Sequence, residues 1–168
     1  VDQLKFSYEG PFDMPGLYRL IDSFFYEKGF DKHEKLNQEM VLPTGREVRI
    51  EMIPYKNITD YFKLRVRIRI HANHLRKIEV EKEGAKIPIQ EGKLMIIFEG
   101  FVESDRHSRW ENTPFQWFLR TLFDKYIFKG HYLKAEQWLV SDIEDVYMRI
   151  GSFLNVYRPK QRGVFTER

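Results

Sequence analysis

The sequence predicts an α+β protein: a curved antiparallel sheet of six or seven strands, with one N-terminal helix and two C-terminal helices packed on one face. Three observations carry this. The segment Phe62–His71 alternates apolar Leu64, Val66, Ile68 and Ile70 with basic Lys63, Arg65, Arg67 and Arg69, which is the period of a strand with one oily and one cationic face. Further short segments of strand character, separated by Gly-, Pro- and Asn-containing turns, fill the chain from about residue 33 to residue 103. Helical periodicity is confined to the two ends, and a run of strands followed by helices is the order of an α+β domain.

Taken in order, Leu4, Phe6 and Tyr8 alternate with Lys5, Ser7 and Glu9 as a first strand. Asp13 offers a helix N-cap and Pro15 suits the first turn. Leu17, Leu20, Ile21, Phe24 and Phe25 then follow at helical spacing until Lys28-Gly29 ends the helix. A turn at Pro43-Thr44-Gly45 joins a strand at about 33–42 to one with Val48, Ile50 and Met52 inward. Residues 54–60 lead into the basic strand. A turn at 72–74 is expected next, then Arg76–Glu81 with Ile78 and Val80 inward, and another turn at 82–85. Ile87-Pro88-Ile89 reads as a short edge strand, since proline cannot donate to a ladder, and Glu91-Gly92 turns into a last strand at Lys93–Glu103. Thr113-Pro114 opens a helix that runs to Lys129-Gly130. Leu139, Ile143, Val146, Ile150, Phe153 and Tyr157 repeat every four then three residues along a long last helix, which Pro159 stops.

This element order is similar to the helix-grip architecture of START-like and Bet v 1-like proteins, in which a long terminal helix lies across a cupped sheet. The similarity lies in the order of elements, and the helix at 114–129 departs from it. It implies a cavity between sheet and last helix that would carry a small apolar ligand.

Composition sets further bounds. A chain of 168 residues that is 42% hydrophobic, with fourteen Phe, nine Tyr and three Trp, reads as one domain at 1–157 with a strongly aromatic core. No apolar run approaches the ~20 residues of a membrane span, and the first residues lack a signal peptide's apolar stretch. The absence of cysteine excludes disulfides, thiolate metal sites and cysteine nucleophiles. A cytoplasmic protein is the expectation, and the Lys-, Arg- and Glu-rich composition also suits a thermophile. The formal charge of +3 resides in the tail at 158–168, where Arg158, Lys160, Arg162 and Arg168 face only Glu167. The basic pI therefore describes a flexible tail, while the rest of the chain is balanced.

The basic strand has two readings. As a polyanion site, Lys63, Arg65, Arg67 and Arg69, with Arg158, Lys160 and Arg162 of the tail, would meet the phosphates of RNA, and Tyr55 and Tyr61 would stack on bases. As a charge ladder, the same row is neutralised by acids on its neighbours. If the strand at 75–83 folds back beside it, Glu79, Glu81 and Glu83 face Arg67, Arg65 and Lys63. On the other side Glu51 and Glu47 then fall by Arg65 and Arg69. Opposite charges across a pair contribute about 0.2–1 kcal/mol each, so the ladder is the favoured reading.

No catalytic set emerges. Glu99, Glu103 and Asp105 belong to the polar phase of the last strand, and Asp142, Glu144 and Asp145 to the polar face of the last helix. His71-Ala-Asn-His74 supplies two imidazoles without a third ligand nearby, so neither a metal nor another cofactor is expected. Gly-rich phosphate loops and nucleophile elbows are absent.

The aromatic segment at 110–128 carries the strongest binding signal. Phe115, Phe118, Leu119, Leu122, Tyr126 and Ile127 form one stripe, while Trp110, Trp117 and Phe128 fall outside it. Large aromatics beyond one stripe mark a doubly buried helix or a docking surface. The expectation is a non-catalytic binding or assembly module that meets a protein partner or its own copy through Trp110, Trp117, Tyr126 and Phe128. A small apolar ligand and RNA are the alternative partners.

Overall fold

The computed structural model describes residues 3–31, 34–43, 45–58, 62–82, 85–104 and 128–156. Within them the order is β1 (Leu4–Phe12), α1 (Met14–Glu27), β2 (Glu34–Leu42), β3 (Gly45–Met52), β4 (Tyr55–Asn57), β5 (Phe62–Lys82), β6 (Ala85–Ser104) and α2 (Phe128–Asn155). Every strand pairing is antiparallel, and the sheet runs β1-β6-β5-β3-β2, with β4 also beside β5. The class is α+β, with six strands and two helices among the described residues. The expected helix at 114–129 lies outside those residues except for its end: Phe128, Lys129 and Gly130 belong to α2, so the Lys-Gly pair there does not stop a helix.

One face of the sheet is oily because alternate residues of each strand are. Val48, Ile50 and Met52 of β3, Leu64, Val66, Ile68, Ile70 and Ala72 of β5, and Leu94, Ile96 and Phe98 of β6 form one buried cluster with Leu17, Ile21 and Phe24 of α1 and Leu139, Ile143, Val146 and Ile150 of α2. The approach of α2 is close: a Cβ on Gly100 would stand 2.9 Å from Leu139 Cδ2 and 3.1 Å from Ile143 Cδ1. At the far end of α2, the Tyr8 hydroxyl donates to the Pro11 carbonyl oxygen at 2.9 Å and lies 3.4 Å from that of Leu154.

The start and stop of α1 follow its sequence. Asp13 occupies the N-cap with extended backbone, although its side chain makes no capping hydrogen bond. At the other end Gly29 takes φ +77°, Gly29 N–H donates to Tyr26 O and Phe30 N–H to Phe25 O, which is a Schellman motif. Its hydrophobic contact is present too, since the Phe25 and Phe30 rings meet edge to face at 5.3 Å. The preceding Lys28 reaches across to α2 and bridges Asp142 and Asp145 at 2.9 and 3.1 Å. Those hydrogen bonds, Asp142 first, raise its ammonium pKa above the ordinary value against a smaller cost of burial.

The strand count hides one correction. The turns expected at 72–74 and 91–92 are not turns, and β5 and β6 are single strands of 21 and 20 residues. The break in pattern at 72–74 is a bulge: Asn73 pairs Lys93 and Arg76 pairs Glu91, so β5 has one residue more than β6, and His74 takes φ +56°. Opposite it, a Cβ on Gly92 would sit 2.7 Å from the Asn73 carbonyl oxygen, so only glycine lets the bulge close. The extra residue shifts the alternation by one, so that Ala72 and Leu75 are both buried in the core. It also overturns the expected inward position of Ile78. Paired with Ile89 and in phase with Arg76 and Glu91, Ile78 belongs to the face opposite the one that α1 and α2 cover.

Candidate functional site

The face of the sheet opposite the core is built from the other alternate residues, and no described helix lies on it. Its register can be read across the strands. Tyr55, Arg65 and Phe101 form one row, and Arg67 and Glu99 the next. Glu51, Arg69, Ile97 and Lys5 form the third, followed by Arg49, His71, Met95 and Ser7. All four candidate residues of the basic strand are therefore brought to one surface. Trp110, Trp117 and Tyr126, and the tail residues Arg158, Lys160 and Arg162, lie outside the described residues, as does the side chain of Phe128.

Charges on this face are paired within it. Arg65 Nη2 is 2.8 Å from Glu103 Oε1. Arg67 lies 3.4 Å from Glu51 and 3.5 Å from Glu99. Arg69 donates a short hydrogen bond to Glu99, and Gln3 Nε2 donates to the same Glu99 oxygen at 2.6 Å. Glu99 is only 9% exposed, and two guanidiniums with one amide replace the water it gives up. The ladder reading thus describes the geometry, but with different acids. The neighbour of the basic row on one side is β6 rather than residues 75–83, and Glu99 and Glu103 take the places expected for Glu79, Glu81 and Glu83. On the other side Glu51 faces Arg69 rather than Arg65, and Arg49 faces His71. Sequence shows which acids share a face; long-range pairing decides which of them meet.

The second component is apolar. Phe101 is 37% and Met95 38% exposed, while Ile97 between them is buried. The Arg65 and Arg67 guanidinium carbons each lie 5.7 Å from the Phe101 centroid, and Lys63 Nζ lies 4.3 Å from that of Tyr55. Each cation thereby sits against an aromatic ring at a distance where the ring's negative face attracts it. Met95, Ile97 and Phe101 were not singled out from sequence. Their signal was Met95, Ile97 and Phe101 in the polar phase of β6, where a solvated strand would carry polar groups.

His71 stands on the outer face of the sheet and His74 in the bulge. Burial first, then Arg49 and Arg69, lower the His71 pKa from its ordinary value. Among the described residues no group of three His, Asp or Glu is placed to hold a metal ion. Nor is any described helix long and apolar enough to cross a membrane.

A separate groove of about 550 Å³ opens beside the C-terminal half of α1, over Ile21, Phe25, Phe30 and Met52. It is not the cavity that a helix-grip order implies, which would lie between sheet and last helix, where Leu139 and Ile143 press on Gly100.

Comparison with protein-family models, curated proteins and solved structures found no match to this chain.

Proposed function

We propose that this protein is a non-catalytic assembly module whose outer sheet face, opposite α1 and α2, docks a second copy of itself. The observation that supports this most is the arrangement of charge on that face. The column on β5 is cationic (Lys63, Arg65, Arg67, Arg69), and the adjacent column on β6 is acidic and apolar (Glu103, Phe101, Glu99, Ile97). A two-fold axis parallel to the strands and between these columns lays β5 of one copy over β6 of the other. Arg67 then lies over Glu99, Lys63 over Glu103 and Arg65 over Phe101, while Glu51 of β3 lies over Lys5 of β1. Such an interface is self-complementary, as a two-fold requires, and near-aligned strands are a regular way for two sheets to pack.

A polyanion fits less well. Nucleic acid is held by cations that release counterions from phosphates, and here Arg65, Arg67 and Arg69 already share Glu51, Glu99 and Glu103. Arginine, methionine and aromatic side chains on a nearly neutral surface are instead the composition enriched where proteins meet. The aromatic segment at 110–128 supplies a further contact in this reading, with Trp110, Trp117, Tyr126 and Phe128 as anchors.

Sedimentation equilibrium from micromolar to submillimolar protein tests the proposal. The wild type is expected to dimerise reversibly. Phe101→Arg, which puts a guanidinium where the facing copy brings Arg65, removes the apolar centre and sets like charges against each other. It is expected to remain monomeric with an unchanged circular dichroism spectrum. A wild type that is monomeric throughout, or a Phe101→Arg variant that dimerises as well, overturns the reading.

A further inference from the structure

Past the bulge, β5 outruns β3. Its last pairing with β3 is Leu75 opposite Arg46, and from Arg76 to Lys82 only β6 lies beside it among the described residues. A strand paired on one side keeps alternate N–H and C=O groups unpaired on the other, ready for another strand. β6 outruns β1 too, beyond Gln90, but Pro88 on that edge has no N–H to offer. The β5 edge from Arg76 to Lys82 contains no proline. It begins in a notch of about 300 Å³ at the β2–β3 turn, lined by Val41, Pro43, Gly45, Arg46, Arg76 and Lys77 among others. Val41 is 80% exposed, so it has apolar surface to give to a newcomer. Arg46 is engaged, with the two Glu39 oxygens at 2.5 and 2.6 Å. Arg76 and Lys77 are exposed, and their side chains make no hydrogen bond or ion pair with any described residue, even though Glu91 stands opposite Arg76 in register. No carboxylate is among the described residues lining the notch.

We infer that this edge takes the C-terminus of an extended peptide from a partner protein, added to β5 as an antiparallel strand. Charge sets the direction. A strand antiparallel to β5 runs from beside Lys82 towards Arg76 and ends where the β2–β3 turn stands in its path. Its terminal carboxylate then comes to Lys77 and Arg76, two cations with donors to spare. A parallel strand would bring its N-terminal end to the same two charges and leave them unanswered. Register supplies selectivity. The last side chain of the peptide, beside Lys77, shares a face with Leu75, Arg46 and the exposed Val41. The one before it lies beside Ile78 and the third from the end beside Glu79, so an aliphatic and a basic residue fit there. Glu79 is 69% exposed and its contact with Lys86 is 4.0 Å long, which leaves its carboxylate open to that second cation.

Two peptides test this: acetyl-Thr-Thr-Thr-Lys-Val-Val with a free carboxylate, and the same peptide with its C-terminus amidated. Titrations followed by ¹⁵N–¹H correlation spectra report both affinity and place. The free acid is expected to give saturable shifts at residues 41–46 and 75–82, and the amide to bind at least about fivefold more weakly. Lys77→Gln, a change at an exposed side chain, should weaken the acid by a similar factor and leave the amide unchanged. A spin label on the N-terminus of the peptide should broaden the signals near residue 82 and spare those at 41–46. Equal affinity of acid and amide overturns the proposal. So does unchanged acid binding in Lys77→Gln, broadening at 41–46, or the absence of shifts along the edge up to millimolar peptide. These readouts are local to the β5 edge, so they stand whether or not the outer sheet face forms a dimer.

Discussion

His71 stands on the outer face of the sheet opposite Arg49 of β3 and Met95 of β6, a place that no charged imidazole would favour. Partial burial removes water from it, and two guanidiniums repel its proton, so its pKa in the fold is lowered. The sign for stability follows. The unfolded chain binds that proton more readily, so stability is complete above the ordinary value near 6.5 and declines as pH falls through the lowered one. Urea unfolding at steps from about pH 7.5 to 5 should show this decline, and His71→Gln should flatten part of it. An equally steep slope in the variant would assign the decline to other groups. Alternation alone placed His71 with Arg69 on the polar face; that Arg49 would stand opposite depended on a register four residues away from the one expected.

Two Lys-Gly pairs gave the same helix-stop signal, and the elements they sit in treated them differently. Gly29 ends α1 because the chain turns left-handed there, at φ +77°, and two backbone hydrogen bonds plus the Phe25–Phe30 contact reward the turn. Gly130 lies inside α2, exposed, with no atom within 4 Å of where its Cβ would be. Gly29→Ala should therefore lose about 1 kcal/mol, the cost of a left-handed alanine, while Gly130→Ala, in the first described turn of α2, should gain about 0.5 kcal/mol. Opposite shifts in urea midpoint check this; a loss in both would mean that α2 does not continue through Gly130. Periodicity revealed α1, the stripe of α2 and each strand's inner face because those depend on neighbours in sequence. The bulge at 73–76 was not legible as one, because its cause is Gly92, eighteen residues after His74, leaving room for an extra residue on the facing strand.

For the molecule as a whole, the class was legible because strands in succession can cover only one face with two terminal helices, and the alternation shows which face that is. What sequence could not supply was the order β1-β6-β5-β3-β2, and with it the fact that the cationic and acidic columns are adjacent. That adjacency leads to a sharper test of assembly than a single disruption. Arg67→Glu alone leaves a carboxylate at both positions 67 and 99, and Glu99→Arg alone leaves a guanidinium at both, so each variant should repel its own copy across the proposed two-fold. Mixed, they should pair: each position 67 then meets an opposite charge at position 99 of the other chain, in both halves of the interface. A pair of charges at such a contact can be worth more than 1 kcal/mol, so the mixed dimer should exceed either homodimer by at least about tenfold in association constant. Sedimentation of the mixture, with one variant fluorescently labelled and both checked by circular dichroism, reads the difference. Mixing cannot mend an ion pair inside one chain. Recovery on mixing therefore reports contacts between chains, and two variants that stay monomeric together would show that Arg67 and Glu99 meet only within their own sheet.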